Sequence, residues 1–138
     1  MNILIKNGRI ISATDDYVAD IFIEGEIVKA IGKNLAVKAE KEIDAAGKLV
    51  FPGGIDPHVH LDMPFMGTFS SDNYETGTRA ALFGGTTMVI DFILQKQGNS
   101  LRSALEEWKS RSDNNCVGDY SFHMAVTDFN DDTKKEIQ

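Results

Sequence analysis

The chain has 138 residues, 42% of them hydrophobic, and its 14 basic and 21 acidic side chains leave a net charge of −7. That balance speaks against nucleic acid and anionic membranes as partners, since both are recognised through clustered Lys and Arg. No run approaches the roughly 18 apolar residues of a membrane span, and Met1-Asn-Ile-Leu-Ile-Lys6 lacks the pattern of a secretory signal. Cys116 stands alone, so no internal disulfide forms, and a reducing compartment, the cytoplasm, is expected.

Residues 1–52 read as short strands separated by turn chemistry. Ile3-Leu-Ile5 leads into Asn7-Gly8, a pair that tolerates positive φ and predicts a hairpin. Val18 to Glu24 alternates, Glu24-Gly25-Glu26 turns the chain into Ile27–Ile31, and Gly47 breaks it again before Leu49-Val50-Phe51. The only helical period is a weak one near Ala36–Glu42. The expectation is a small all-β unit with too few strands to close by itself, the first part of a β-sandwich domain.

From Gly53 the period changes. Asp72, with Glu75 after it, predicts a helix N-terminus, and the helix carries Tyr74, Thr78, Ala81 and Leu82 to a stop at Gly84-Gly85. Thr86 to Ile93 is nearly all apolar, as in a parallel strand buried on both faces. Ser100 opens a second helix with Leu101, Ala104, Leu105 and Trp108 on one stripe. A third strand follows around Tyr120–Val126, then the start of a helix at Asn130. This α/β succession over residues 53–138 predicts the first β/α units of a TIM-like (β/α)8 barrel. Such a barrel needs eight strands and about 250 residues, so the chain is expected to be the N-terminal portion of a longer enzyme.

The densest chemistry lies in Phe51-Pro-Gly-Gly-Ile-Asp-Pro-His-Val-His-Leu-Asp62. On extended backbone His58 and His60 project to the same side and can converge on one ion, since a zinc–nitrogen bond is about 2.0–2.1 Å. Asp56 and Asp62 share that parity; they serve either as acceptors fixing the histidine tautomers or as ordinary turn and capping groups. Pro57 marks the C-terminal end of the strand, the face where barrel enzymes carry their sites. Met63-Pro-Phe-Met66 then forms an apolar, mobile loop in which Met63 and Phe65 either gate a substrate pocket or pack on a neighbour. Asp91, inside a buried strand, requires a hydrogen-bonding partner. His123 shares parity with Ser121 and Ala125, facing away from Phe122 and Met124.

Pro52 to Asp62 resembles the first-strand signature of the cyclic amidohydrolases, a superfamily of metal-dependent hydrolases. Asp62-Met-Pro-Phe-Met-Gly-Thr68 and Gly77-Thr-Arg-Ala-Ala-Leu-Phe-Gly-Gly-Thr-Thr-Met88 resemble its dihydropyrimidinase and hydantoinase branch. The resemblance implies a pyrimidine-degradation type of hydrolase, opening the ring amide of dihydropyrimidines or hydantoins with a metal-activated hydroxide. It implies Zn2+, two ions per site, with His58 and His60 matching the pair that binds one of them. The bridging carboxylated lysine and the other ligands would lie beyond Gln138, and no catalytic residue is identified in this segment. Met63 and Phe65 would govern the ring substituent of a small cyclic amide or ureide, and the whole enzyme would be a homotetramer. Two alternatives stay open: a non-catalytic scaffold like the collapsin-response mediator proteins, which lack the histidine pair, and an allantoinase or dihydroorotase, which usually carries Asn or Arg where Asp62 stands.

Overall fold

The computed structural model describes residues 1–137, and the chain divides into one unit over Met1–Pro52 and a second from Gly53 onward. In the first unit, strands β1 (Asn2–Ile11), β2 (Asp16–Glu24), β3 (Ile27–Gly32), β4 (Lys41–Asp44) and β5 (Leu49–Val50) form one sheet in the order β3-β2-β1-β4, with β5 also on β1. β1, β2 and β3 are antiparallel neighbours, whereas β4 and β5 run parallel to β1. Gly25, at φ 63°, turns β2 into β3 as its sequence predicts. Ile10, Ala19 and Ile21 are buried together, with Ile5, Ile23 and Val50 against them.

Two expectations for this unit are corrected. Asn7-Gly8 is no hairpin turn: β1 runs straight through it, with a bulge between Ile5 and Gly8 at which Asn7 takes φ 61°. The bulge is held from outside, by Asn7 N–H on Asp20 Oδ1 (2.8 Å) and Asn7 Nδ2 on Asp44 Oδ1 (3.0 Å). Gly8 is required there because a Cβ would lie 2.7 Å from Val50 Cγ2. The weak helical period over Ala36–Glu42 forms no helix either, since Lys41–Asp44 pairs with Ile3–Lys6 and the open edge of β1 outweighs a marginal local preference.

The second unit contains β6 (Gly54–Val59), β7 (Pro64–Phe65), β8 (Thr68–Phe69), α1 (Tyr74–Phe83), β9 (Thr86–Leu94), α2 (Leu101–Ser112), β10 (Asp119–Ala125) and α3 (Asp131–Ile137). β10, β9 and β6 form a parallel sheet in that order, so the unit is a β/α succession and the chain as a whole is of mixed α/β class. Residues of β9 at one parity, Val89, Asp91 and Ile93, are buried, whereas the opposite face, expected to be buried as well, is only half-buried at Met88, Ile90, Phe92 and Leu94; Ile93 joins Tyr74 of α1 with Ala104 and Trp108 of α2 in the core. The period of α2 accounts for this, since Leu101, Ala104 and Trp108 fall on one stripe below Ser100, the N-cap that accepts Ser103 N–H, whereas Leu105, expected on the same stripe, lies at its margin and is exposed. The cap of α1 is Asn73 rather than Asp72. Its side chain accepts Thr76 N–H while Thr76 Oγ1 accepts Asn73 N–H, and Glu75 pairs instead with Arg79 one turn on. Among the described residues no helix is long and apolar enough to cross a membrane.

Asp20 is 3% exposed and accepts the backbone N–H groups of Asn7 and Leu35, which hold its carboxyl below the usual range. A folded value below the unfolded one makes this contribution complete above about pH 4 and lost as the pH falls through the lowered value. Asp20→Asn is expected to lower the unfolding midpoint at neutral pH and to shallow its decline below about pH 4, read by chemical denaturation across that range. An acid limb identical to that of the parent would refute this.

Candidate metal centre

The end of β6 is irregular. Asp56 stands opposite Val89 and Val59 opposite Asp91, so β6 carries one residue more than β9 over this stretch. Pro57, which has no N–H to give, sits in that bulge on an edge strand, the setting in which a sheet tolerates proline. His58 N–H turns to Asp56 Oδ1 at 3.1 Å, and Pro57 O accepts from His123 Nε2 at 3.0 Å. Both rings of the His58–His60 pair are exposed, their centres 5.1 Å apart and their planes nearly perpendicular at 88°. Phe92 packs against both, at 4.5 Å from His58 and 5.5 Å from His60.

This donor pair fits a metal ion: a tetrahedral zinc with bonds of about 2.0–2.1 Å sets the centres of two liganding imidazoles roughly 5 Å apart. Among the described residues no group of three or more His, Cys, Asp or Glu is placed to hold an ion, so the pair by itself is an incomplete site. Burial and the nearby Asp113 and Asp91 push the Cys116 thiol up to about 11, so at neutral pH it is protonated and no nucleophile.

The two flanking carboxylates part company. Asp56 serves the backbone of the bulge. Asp62 lies beyond the strand at φ 48°, where the alternation that would align it with the histidines no longer applies. It lines a polar cleft of about 300 Å³ with Asn73, Glu75, Arg111 and Asn115, while His60 borders a different cavity. That second cavity, about 560 Å³, is lined by His60, Met63, Phe65, Phe69, Phe92 and Leu94, together with Thr68 and Ser70. Met63 is buried and Phe65 is 62% exposed. The segment is a hairpin rather than a loose loop: β7 and β8 pair antiparallel across Met66 and Gly67, both at positive φ, as a two-residue turn requires. Its base is tied by Ser70 N–H to Met63 O and by Met63 N–H to Ser70 Oγ, each at 2.9 Å.

Several contributors escape a reading of spacing alone. Arg111 of α2 donates to Asp62 O at 3.1 Å, pairs with Glu107 and stacks over Trp108, so a helix on the far side of the sheet fixes the approach to the hairpin. Gln95, 3% exposed, gives its amide to Asn99 O and Asp128 O and takes the N–H groups of Thr127 and Asp128, joining the loops after β9 and β10. Asp91 has the partner its burial demands. Tyr74 O–H donates to Oδ2 at 2.7 Å, Leu61 N–H approaches the same atom at 3.4 Å, and Phe92 N–H meets Oδ1 at 2.7 Å. Burial pushes the Asp91 carboxyl up and these donors pull it back only in part.

Residues 49–134 match the model of the amidohydrolase family. The chain is 49% identical over 137 residues to the D-hydantoinase of Geobacillus stearothermophilus, covering 99% of this chain and 29% of that protein. It is 44% identical over 141 residues to the dihydropyrimidinase of Rattus norvegicus, covering 99% and 27% respectively. The crystal structure of dihydropyrimidinase from Brevibacillus agri NCHU1002 superimposes with a TM-score of 0.96 at 50% identity, over 99% of this chain and 30% of that one. The chain therefore spans under a third of the length of these relatives.

Tyr74→Phe removes one hydroxyl and leaves Asp91 buried with its two backbone donors but without the side-chain donor of Tyr74. A loss of about 1–3 kcal/mol is expected from an unsatisfied buried acceptor, measured by denaturant unfolding at neutral pH. A variant as stable as the parent would mean that the carboxylate finds another partner at no cost.

Proposed function

The chain belongs to the amidohydrolase family, in the branch of D-hydantoinases and dihydropyrimidinases, and from that premise we propose that it carries the first part of a metal-dependent cyclic amidase. On this reading residues 53–138 are the opening β/α units of a TIM-like barrel and residues 1–52 part of a β-sandwich domain. The carrying observation is the His58–His60 pair, its ring centres 5.1 Å apart at the C-terminal end of a parallel strand, beside an apolar pocket. Enzymes of barrel architecture carry their chemistry at that end.

The substrate is a small cyclic amide or ureide, a dihydropyrimidine or hydantoin, cleaved at the ring amide. His58 and His60 would hold one Zn2+ of a pair whose remaining ligands, a carboxylated lysine among them, belong to other strands. A bound metal of this kind lowers the pKa of water and polarises a carbonyl, so the chain need supply no side-chain nucleophile. Phe92 packs beneath both imidazoles and limits their rotation, and Asp56 supports His58 through its backbone N–H. Met63 and Phe65 present the apolar wall that meets the ring substituent and keeps water from that side. Asp62 acts at the root of the hairpin, not on the imidazoles. The enzyme so assembled works in the cytoplasm as a homotetramer, with neither nucleic acid nor membrane as partner.

Replacing both His58 and His60 with Ala in the full-length enzyme should remove bound metal and reduce dihydrouracil and hydantoin hydrolysis to background, measured by metal analysis and ring opening. Unchanged metal content and turnover in the double variant would defeat the proposal, and a metal-free parent would favour a scaffold. Phe65→Ala should alter the ratio of kcat/KM between bulky and small ring substituents by about 1–3 kcal/mol, the range of one apolar contact in a pocket. Identical ratios would assign Phe65 to packing.

A further inference from the structure

We infer that His123 is a positioning residue for the His58–His60 pair, holding the bulge of β6 through the carbonyl of Pro57. The inference rests on the metal reading above. A bulge takes backbone groups out of the ladder and frees them for side-chain partners. At this bulge Pro57 has no N–H, and that of His58 goes to Asp56 Oδ1. The carbonyl of Pro57 lies 3.0 Å from His123 Nε2.

The reach of this contact is what separates it from routine pairing. His123 stands on β10, which pairs with β9 and not with β6. Its ring extends over Phe92, the residue opposite it on β9, with ring centres 4.9 Å apart, and arrives at the residue preceding His58. The same Phe92 ring lies under His58 and His60, so His123, Phe92 and the bulge form one contiguous support for the two imidazoles. A carbonyl only accepts, so Nε2 of His123 carries the proton. Packing on Phe92 would be served as well by any flat apolar side chain. Donation to Pro57 O requires an N–H at the far edge of the ring, which His provides and Phe does not. Gln places an amide nitrogen at a similar distance from its backbone.

The test compares the full-length parent with His123→Phe and His123→Gln. Zinc affinity is measured by chelator competition, thermal unfolding is measured on the metal-free proteins, and the absorption spectrum is recorded after cobalt substitution. His123→Phe should lose about 10–100-fold in zinc affinity, the range for residues that orient metal ligands. Its cobalt bands should shift while the metal-free unfolding temperature stays at the parental value, and His123→Gln should recover most of the affinity. Parental affinity and spectrum in His123→Phe would overturn the inference, as would a Gln variant no better than Phe. A loss of affinity matched by an equal loss of metal-free stability would also overturn it, since that is plain structural damage. Should His123→Phe fail to fold, nitrogen NMR of the 15N-histidine-labelled parent decides: the Nε2–H tautomer at His123 supports the inference, and the Nδ1–H tautomer refutes it. A parent that binds no zinc, or binds it equally after loss of His58 and His60, removes the metal reading and this inference together. Zinc-binding parent with an unaffected Phe variant removes the inference alone.

Discussion

The carboxylate of Asp91 has no contact with solvent, and the C-terminal end of the parallel sheet is organised around its demand for donors. Burying such a group costs several kcal/mol unless hydrogen bonds replace its water. The replacements come from the first residue of α1 through Tyr74 O–H, from its own strand through Phe92 N–H, and from Leu61 N–H directly after His60. One side chain thereby fixes a helix, a central strand and the residue at which the histidine segment leaves its strand. Moving any of the three would strand the charge, so their positions are mutually determined.

Neighbouring residues of β9 then divide the labour. Asp91 points into the layer where Tyr74, Ile93, Ala104 and Trp108 pack, and Phe92, one residue on, lies on the opposite face under the imidazoles. The two-residue period of a strand makes this division automatic, because support and chemistry occupy alternate positions. The hairpin of β7 and β8 is governed from the helix layer as well, through Arg111 and the carbonyl of Asp62. Its apolar residues can face a cavity because their backbone is already committed to pairing.

Much of this was legible in the residues themselves. The stripe Leu101, Ala104, Trp108 behind Ser100, the existence of strand β9, the turn at Gly25 and the shared side of His58 and His60 follow from local period and turn chemistry, and the fold leaves each intact. What escaped depends on partners distant in sequence. Asn7-Gly8 has the composition of a turn, but Asp20 and Asp44 reward a bulge there instead. The segment around Lys41 takes its state from the edge of β1. Asp62 departs from the histidines because one residue in the left-handed region ends the alternation on which parity depends. The cap moved from Asp72 to Asn73 because Thr76 completes a reciprocal pair with Asn73. His123 bonds two strands away, a distance no periodicity encodes.

The pairing of β1 has a consequence for the order in which the molecule is made. β1 takes β2 from the next stretch of chain, but β4 and β5 reach it as parallel strands only after Lys41 and Leu49 have been synthesised. The five strands of this sheet have therefore all been synthesised once Val50 has emerged. β6 follows within a few residues, yet β9, its strand partner among the described residues, ends at Leu94. At about 5–20 residues per second, the histidine strand spends several seconds outside the ribosome with no ladder to join. Through that interval Ile55 and the ends of the strand are open to pairing with other edges, and slower translation over residues 60–94 lengthens that exposure.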